Sequence, residues 1–263
     1  MSAPKVVFFD VDGTLLNWDY TVAESTRAAI ALARANGVLC VVNTGRPYLH
    51  IDPLVKQIPM DGYICSCGQL VLAGEELFHA SLTVEETRRA VDLCRTHKLE
   101  VIYESEEGMF FDEEYMTNPY IQRSKDHFGS VGVPVDGDIF AEDFFVDKFS
   151  AWPGPESHDL DVFEAEVTKF CDVIHRKGGL FECVKKGCSK KTGMDLFCEH
   201  FGIPNDNCYA VGDSTNDLIM LQHVPHSIAM GNAAREVKAA CEYVTADITE
   251  DGIFKALKHY GLI

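Results

Sequence analysis

Several things are missing from this 263-residue chain, and each absence narrows what it can be. No apolar run approaches the roughly 20 residues that span a bilayer, so a membrane-crossing helix is not expected. The apolar start Val6-Val7-Phe8-Phe9 breaks at Asp10, too short for a secretory signal, and a cytoplasmic protein is expected. No low-complexity tract or internal repeat is evident, which excludes a solenoid or a disordered linker protein. Ten cysteines run from Cys40 to Cys241, yet none forms a C-x-x-C pair; the closest are Cys65-Ser66-Cys67 and Cys183 with Cys188. That scatter offers no zinc-ligand spacing and reads as reduced, largely buried thiols. Positive charge is also scarce, with 23 Lys and Arg against 41 Asp and Glu, a formal net charge of −18. Such a balance argues against nucleic acid or an anionic membrane as partner. It also means that any anionic substrate needs a local cation.

What is present begins with Asp10-Val11-Asp12-Gly13-Thr14. The preceding apolar run reads as a buried strand of a parallel sheet, and ligands bind beyond the carboxyl ends of such strands. Two carboxylates in one tight turn repel unless a divalent cation neutralises them or one holds a proton, and both conditions suit phosphoryl chemistry. Taken alone, the stretch is also an ordinary capping Asp followed by an Asp-Gly turn.

The first third alternates strand and helix signals. Thr21-Val22-Ala23-Glu24 reads as a capping box for a helix closed by Asn36-Gly37, and Val38 to Val42 as a second strand. Pro47 suits a further helix start, Tyr63-Ile64-Cys65 a third strand, and Leu70 to Phe78 a hairpin around Ala73-Gly74. In the middle, Thr83-Val84-Glu85-Glu86 opens a helix to about His97. An irregular acidic stretch follows, with Glu104, Glu106, Glu107, Asp112, Glu113 and Glu114, expected as a solvated face. A strand near Val146 to Trp152, a helix from Leu160 to Arg176 and a strand from Leu180 to Val184 complete an α+β segment. The last third alternates again: a helix from Ser189 to Gly202, strand Cys208 to Val211, a helix through Asp217 and Leu221, strand Ser227 to Met230, a helix from Ala233 to Cys241 and a closing helix through Leu257. The expected fold is α/β: a Rossmann-like doubly wound parallel sheet formed by residues 1–81 and 188–263, with an α+β cap domain, 82–187, inserted because that span is too long for a loop.

Three further elements join Asp10, two at strand ends and one at a helix start. Thr44-Gly45 follows Val41-Val42, a hydroxyl and an N–H fit to hold a phosphoryl oxygen. Gly212-Asp213-Ser214-Thr215-Asn216-Asp217 follows Tyr209-Ala210-Val211, a hard-oxygen set suited to Mg²⁺. Lys190 stands at a helix start, within reach of an acidic cluster. Singly these are a turn, an N-cap and a surface lysine. Their joint occurrence on one rim is what carries the reading.

Taken in order, these motifs resemble the haloacid dehalogenase superfamily of phosphohydrolases. Asp10-Val11-Asp12-Gly13-Thr14 is similar to the first motif, Thr44-Gly45-Arg46 to the second, Lys190 to the third and Gly212 to Asp217 to the fourth. Ala229-Met230-Gly231-Asn232-Ala233, with Val244-Thr245 and Asp251-Gly252, is similar to the Cof-like subfamily, whose large type IIB cap lies between the second and third motifs. Two positions depart from the pattern: Cys67-Gly68 stands where Asn-Gly is usual, and Asn43 where a small residue is common.

The resemblance implies a phosphatase acting on a small phosphorylated metabolite, sugar phosphates first, through a phosphoaspartyl intermediate on Asp10. Asp12 would be general acid and base. Thr44, Gly45, Arg46, Lys190 and Asn216 would bind phosphate, and Mg²⁺ would sit among Asp10, Asp12 (through its carbonyl), Asp213 and Asp217. A monomer or homodimer is expected. The rival readings are a sugar phosphomutase using the same aspartyl-phosphate, and a phospho-accepting signalling module or non-catalytic binding protein.

Overall fold

The computed structural model describes residues 4–263, in two compact units. One comprises Met1–Gly45 (described from Pro4), Ile51–His79 and Ser189–Ile263; the other comprises Arg46–His50 and Ala80–Cys188.

The first unit starts with β1 (Val6–Phe9), α1 (Glu24–Ala35), β2 (Leu39–Asn43), a short α2 (Pro53–Lys56), β3 (Gly62–Cys65) and the hairpin β4 (Leu70–Leu72) and β5 (Glu76–His79). The second contains α3 (Val84–Thr96), β6 (Leu99–Ser105), β7 (Gly108–Phe111), α4 (Pro119–Ser130), β8 (Lys148–Pro153), α5 (Leu160–Val167), β9 (Cys171–His175) and β10 (Phe181–Lys185). The chain then returns to the first unit with α6 (Lys190–Phe201), β11 (Cys208–Gly212), α7 (Leu218–Leu221), β12 (His226–Ala229), α8 (Arg235–Ala240), β13 (Tyr243–Val244) and α9 (Gly252–His259).

The first unit is built on one eight-stranded sheet in the order β13-β12-β11-β1-β2-β3-β4-β5, parallel up to β3 and antiparallel in the hairpin. All four residues of β1 have no exposed surface, as expected of a strand covered on both faces. From β1 the chain winds outward through β2 and β3; on its return it enters at β11 and winds the other way through β12 and β13. The direction reverses between β1 and β11, and that reversal opens the crevice in which open α/β sheets place their ligands. The Asp10 N–H donates to the Val211 carbonyl at 3.0 Å, so Asp10 and Asp213 emerge at neighbouring strand ends.

The second unit is an antiparallel sheet, β7-β6-β8-β10-β9. One face packs on α3 and α5 through Ala90, Cys94, Tyr103, Phe149, Phe163 and Cys183. The other carries an apolar cluster of Ile102, Met109, Phe111 and Ile121 beside a row of charged side chains.

Most elements fall where periodicity and turn residues put them; three do not, and α4, capped by Asn118 on the Tyr120 N–H, was not anticipated. No capping box opens α1: its N-cap is Ala23, because the Thr21 hydroxyl is spent on the Asp19 carboxylate at 2.5 Å. The span Leu160 to Arg176 is not one helix. α5 stops at Val167, the Thr168 hydroxyl turns back to the Glu164 carbonyl, and Cys171–His175 pairs with β10 as an edge strand, a tertiary preference that overrides local helix propensity. Nor is the acidic stretch simply a solvated face. It folds as the hairpin β6–β7, and Glu104 and Asp112 are buried beside Lys148 and Arg95.

Candidate active site

The Lys190 ammonium is the centre of the first unit's polar cluster. Its Nζ lies 2.6 Å from Asp10 Oδ1 and 2.6 Å from Asp217 Oδ1, with all three side chains buried. The Ser189 hydroxyl caps α6 on the Thr192 N–H, which starts the helix where its first residue meets the acids. Asp217 is fully committed, since its Oδ2 accepts from the N–H groups of Asp213 and Ser214 at 3.1 and 3.0 Å. It therefore fixes both the lysine and the loop that carries Asp213.

Asp10, Asp213 and Asp217 each offer a carboxylate oxygen, and these atoms lie within 4.8 Å of one another. Asp213 Oδ1 is buried without a hydrogen-bond partner. A buried, unpaired carboxylate oxygen is costly, and here one lysine faces three acids. The cost shows in proton affinity. Burial and the neighbouring Asp217 charge push the Asp10 carboxyl up to about 7, against the pull of Lys190. Burial and the charges of Asp10 and Asp217 push Asp213 up to about 8. Burial opposes the charge on Lys190, but Asp10 and Asp217 outweigh it and hold the ammonium firmly protonated. The donor set is hard oxygen, over-acidic and under-bonded, which fits a divalent cation such as Mg²⁺.

Asp12 is half-buried, and its charge is felt at both Asp10 and Asp213, but its carboxylate is not one of the three that converge. Gly13 shows how tight the turn is: at φ +82° a Cβ there would lie 2.4 Å from Asp213 Oδ2. Thr44 is buried at the end of β2, its N–H on the Ile64 carbonyl and its carbonyl accepting from the Cys67 N–H at 3.1 Å. Asn216 is half-buried, its Oδ1 accepting from the Ser214 hydroxyl. Arg46 belongs to the second unit, where its guanidinium donates to the His50 carbonyl at 3.0 Å and lies over the Phe128 ring.

A family model for haloacid dehalogenase-like hydrolases matches residues 7–257. The chain belongs to that family. It is 27% identical to the 5-amino-6-(5-phospho-D-ribitylamino)uracil phosphatase YitU of Bacillus subtilis, over 98% of this chain and 97% of that one. An HMP-PP phosphatase of Serratia proteamaculans is 26% identical over 89% of this chain and 86% of its own. Among solved structures, the HAD subclass IIB sugar phosphatase BT4131 superposes with a TM-score of 0.82 at 30% identity, covering 98% of this chain and all of that one. The fold is thus the Rossmann-like core with a cap of the Cof-type hydrolases, and the three relatives named above are phosphatases.

Two residues that support this hydrolase's cluster escaped the sequence reading as site residues. Asn43, wholly buried, donates from Nδ2 to the Lys190 carbonyl at 3.1 Å and so ties the end of β2 to the first residue of α6. Asn232 donates to the Gly13 carbonyl at 2.8 Å and accepts from the Ile248 N–H at 3.1 Å, clamping the turn after Asp12. The signals were present, one as a departure before Thr44-Gly45 and the other as a subfamily mark. Neither named a partner. Gly68 is a third support, because a Cβ there would sit 2.0 Å from the Ser189 carbonyl at the cap of α6.

Proposed function

We propose that this hydrolase is a Mg²⁺-dependent phosphatase of a small phosphorylated metabolite, a sugar or sugar-alcohol phosphate, working through a phosphoaspartyl intermediate on Asp10. The observation that carries it is the convergence of Asp10, Lys190, Asp217 and the under-bonded Asp213 at the reversal point of the sheet. Asp10 and Asp213, with the Asp12 carbonyl, would hold the cation, which when bound supplies positive charge for the phosphoryl oxygens and relieves the repulsion among the acids.

Asp10 attacks phosphorus in line with the ester oxygen, forming an acyl phosphate and splitting one hard hydrolysis into two easier steps. Asp12 gives its proton to the departing alkoxide, then takes one from the water that cleaves the acyl phosphate. The Lys190 ammonium and the Thr44 hydroxyl hold equatorial oxygens as charge moves onto them. Asp217 and Asn43 act through Lys190, keeping its ammonium aimed at Asp10. The inserted unit, read as the cap over about residues 82–187, selects the leaving group.

Two relatives support this substrate class through their names, since one is a phosphatase of a phosphorylated ribityl compound and another a sugar phosphatase. Release of inorganic phosphate from a panel of sugar phosphates, sugar-alcohol phosphates and nucleotides, with Mg²⁺ and with chelator, tests the reading. Asp10→Asn is expected to lose at least about 10⁴-fold in turnover. Transfer of the phosphoryl group to a second sugar without phosphate release would establish the mutase reading instead.

A further inference from the structure

One pair of thiols stands apart from the other cysteines. Cys198 on α6 and Cys208 at the start of β11 bring their sulfurs to 3.5 Å. Cys198 is partly exposed and Cys208 is buried, so the pair has contact between its members and an opening to solvent. Of the remaining eight thiols seven are buried, and the other partly exposed one, Cys241, is held by Ser227. We infer that Cys198 and Cys208 form a peroxide-sensitive redox pair that closes to an intramolecular disulfide.

A disulfide needs the sulfurs at about 2.05 Å, about 1.5 Å closer than they stand. The connecting segment leaves α6 through Gly202 in the left-handed conformation and reaches β11 by one 3₁₀ turn, a short and largely exposed path that can accommodate that movement. The pair also favours a thiolate. At 3.5 Å either thiol can donate its S–H to the other sulfur, so whichever member loses its proton keeps one hydrogen bond from its partner, and it is the thiolate that reacts.

The oxidant is hydrogen peroxide. One sulfur of the pair attacks a peroxide oxygen: an S–O bond forms, the O–O bond breaks, and the departing hydroxide leaves as water with a proton from the thiol. The second sulfur attacks the sulfenic sulfur, the S–S bond forms, the S–O bond breaks, and a second water leaves. The two sulfurs together lose two electrons and the peroxide gains them. A dithiol reductant reverses the link by exchange. The resulting bridge joins the helix that begins at Lys190 to the strand that runs into Asp213.

The whole protein, treated with hydrogen peroxide, alkylated without reduction and mapped by peptide mass, tests the inference without reference to phosphatase activity. The expected result is one cross-linked peptide pair carrying Cys198 and Cys208, two hydrogens lighter than its parts, lost on treatment with dithiothreitol. Oxidation of Cys241 gauges exposure to the reagent. If Cys241 oxidises while Cys198 and Cys208 are both recovered alkylated, the pair is two ordinary thiols in contact and the inference is overturned. Cys198→Ser, a near-isosteric change at a partly exposed position, should yield no bridge; a bridge from Cys208 to a different cysteine in that variant would overturn it too.

Discussion

Each unit of the molecule buries a lysine between two carboxylates, yet the two arrangements are in opposite electrical states. In the first, Lys190 sits 2.6 Å from both Asp10 and Asp217, and a third acid, Asp213, is left with an unpartnered oxygen. In the second, Lys148 Nζ lies 2.6 Å from Glu182 and 3.4 Å from Glu104, Arg176 adds a second cation 3.5 Å from Glu182, and Ser150 donates to Glu104. Proton affinities register the difference. Asp10 and Asp213 are pushed well above the ordinary carboxylate range. Burial pushes Glu104 up as well, but Lys148 and His50 outweigh it and hold this acid below its ordinary value. A cluster whose two acids face two cations needs no added charge and acts as structure. An over-acidic one is relieved by taking up protons or a cation, which makes it the candidate for chemistry.

Removing each lysine should break the two clusters in different ways, and this is the largest effect that separates them. Lys190→Met should cost about 10²–10³-fold in turnover, the range for losing one preorganised donor to the transition state. Lys148→Met should leave turnover within about tenfold while costing about 3–5 kcal/mol of stability, because Glu104 and Glu182 are then buried with too little countercharge. Adding Glu182→Leu to Lys148→Met should recover much of that stability. Urea unfolding beside phosphate release distinguishes the outcomes; if Lys148→Met silences the enzyme while melting normally, the balanced cluster is functional after all.

The response to pH sharpens the contrast next. Asp10 and Asp213 keep their protons in the fold up to about 7 and 8, whereas the unfolded chain releases them near 3.8. Across that window the unfolded chain binds fewer protons, so these two groups make the metal-free protein less stable as pH rises. Glu104 has the opposite sign: its contribution is present above the unfolded value of 4.5 and is lost as pH falls through the lower folded one. Melting curves of metal-free protein should therefore drop from about pH 5 to about pH 8. Mg²⁺ should restore more at the upper end, about 2.7 kcal/mol at a hundredfold excess over its Kd. Asp213→Asn should flatten the neutral slope, and Glu104→Gln should change only the acid limb. A slope unaffected by Asp213→Asn would remove the electrostatic case for a cation site.

The sequence alone was more informative about the over-acidic cluster than about the balanced one, and the reason is geometric. Asp10, Thr44 and Asp213 follow parallel strands directly, so an apolar run with a polar residue at its end locates each of them. Glu104, Lys148 and Glu182 come from β6, β8 and β10, whose antiparallel register is set by long-range pairing, and nothing local distinguishes the buried Glu104 from the exposed Glu107. The same holds for Asn43 and Asn232. Each acts through a main-chain carbonyl, that of Lys190 or Gly13, which is remote in sequence and leaves no pattern in residue type. Cys171–His175 was lost inside an expected helix because only its pairing with β10 makes it a strand.

The smallest expected effect concerns the turn that links Thr44 to α6. Ser66, Cys67 and Gly68 all have positive φ, at 49°, 56° and 89°, and the Cys67 N–H reaches back to the Thr44 carbonyl. Glycine adopts this region freely and asparagine readily, but for other residues it costs about 1–2 kcal/mol each. Cys67 stands where relatives of the Cof type commonly carry asparagine. Cys67→Asn should therefore raise stability by about 0.5–1 kcal/mol, the left-handed strain relieved being partly offset by burying an amide. Cys67→Ala keeps the strained Cβ and should give no gain. Turnover should be unchanged in Cys67→Asn if the turn only spaces Thr44 from Lys190. Denaturant midpoints of the three proteins decide it: equal gains from Asn and Ala would mean the backbone angle at residue 67 is not where the strain lies.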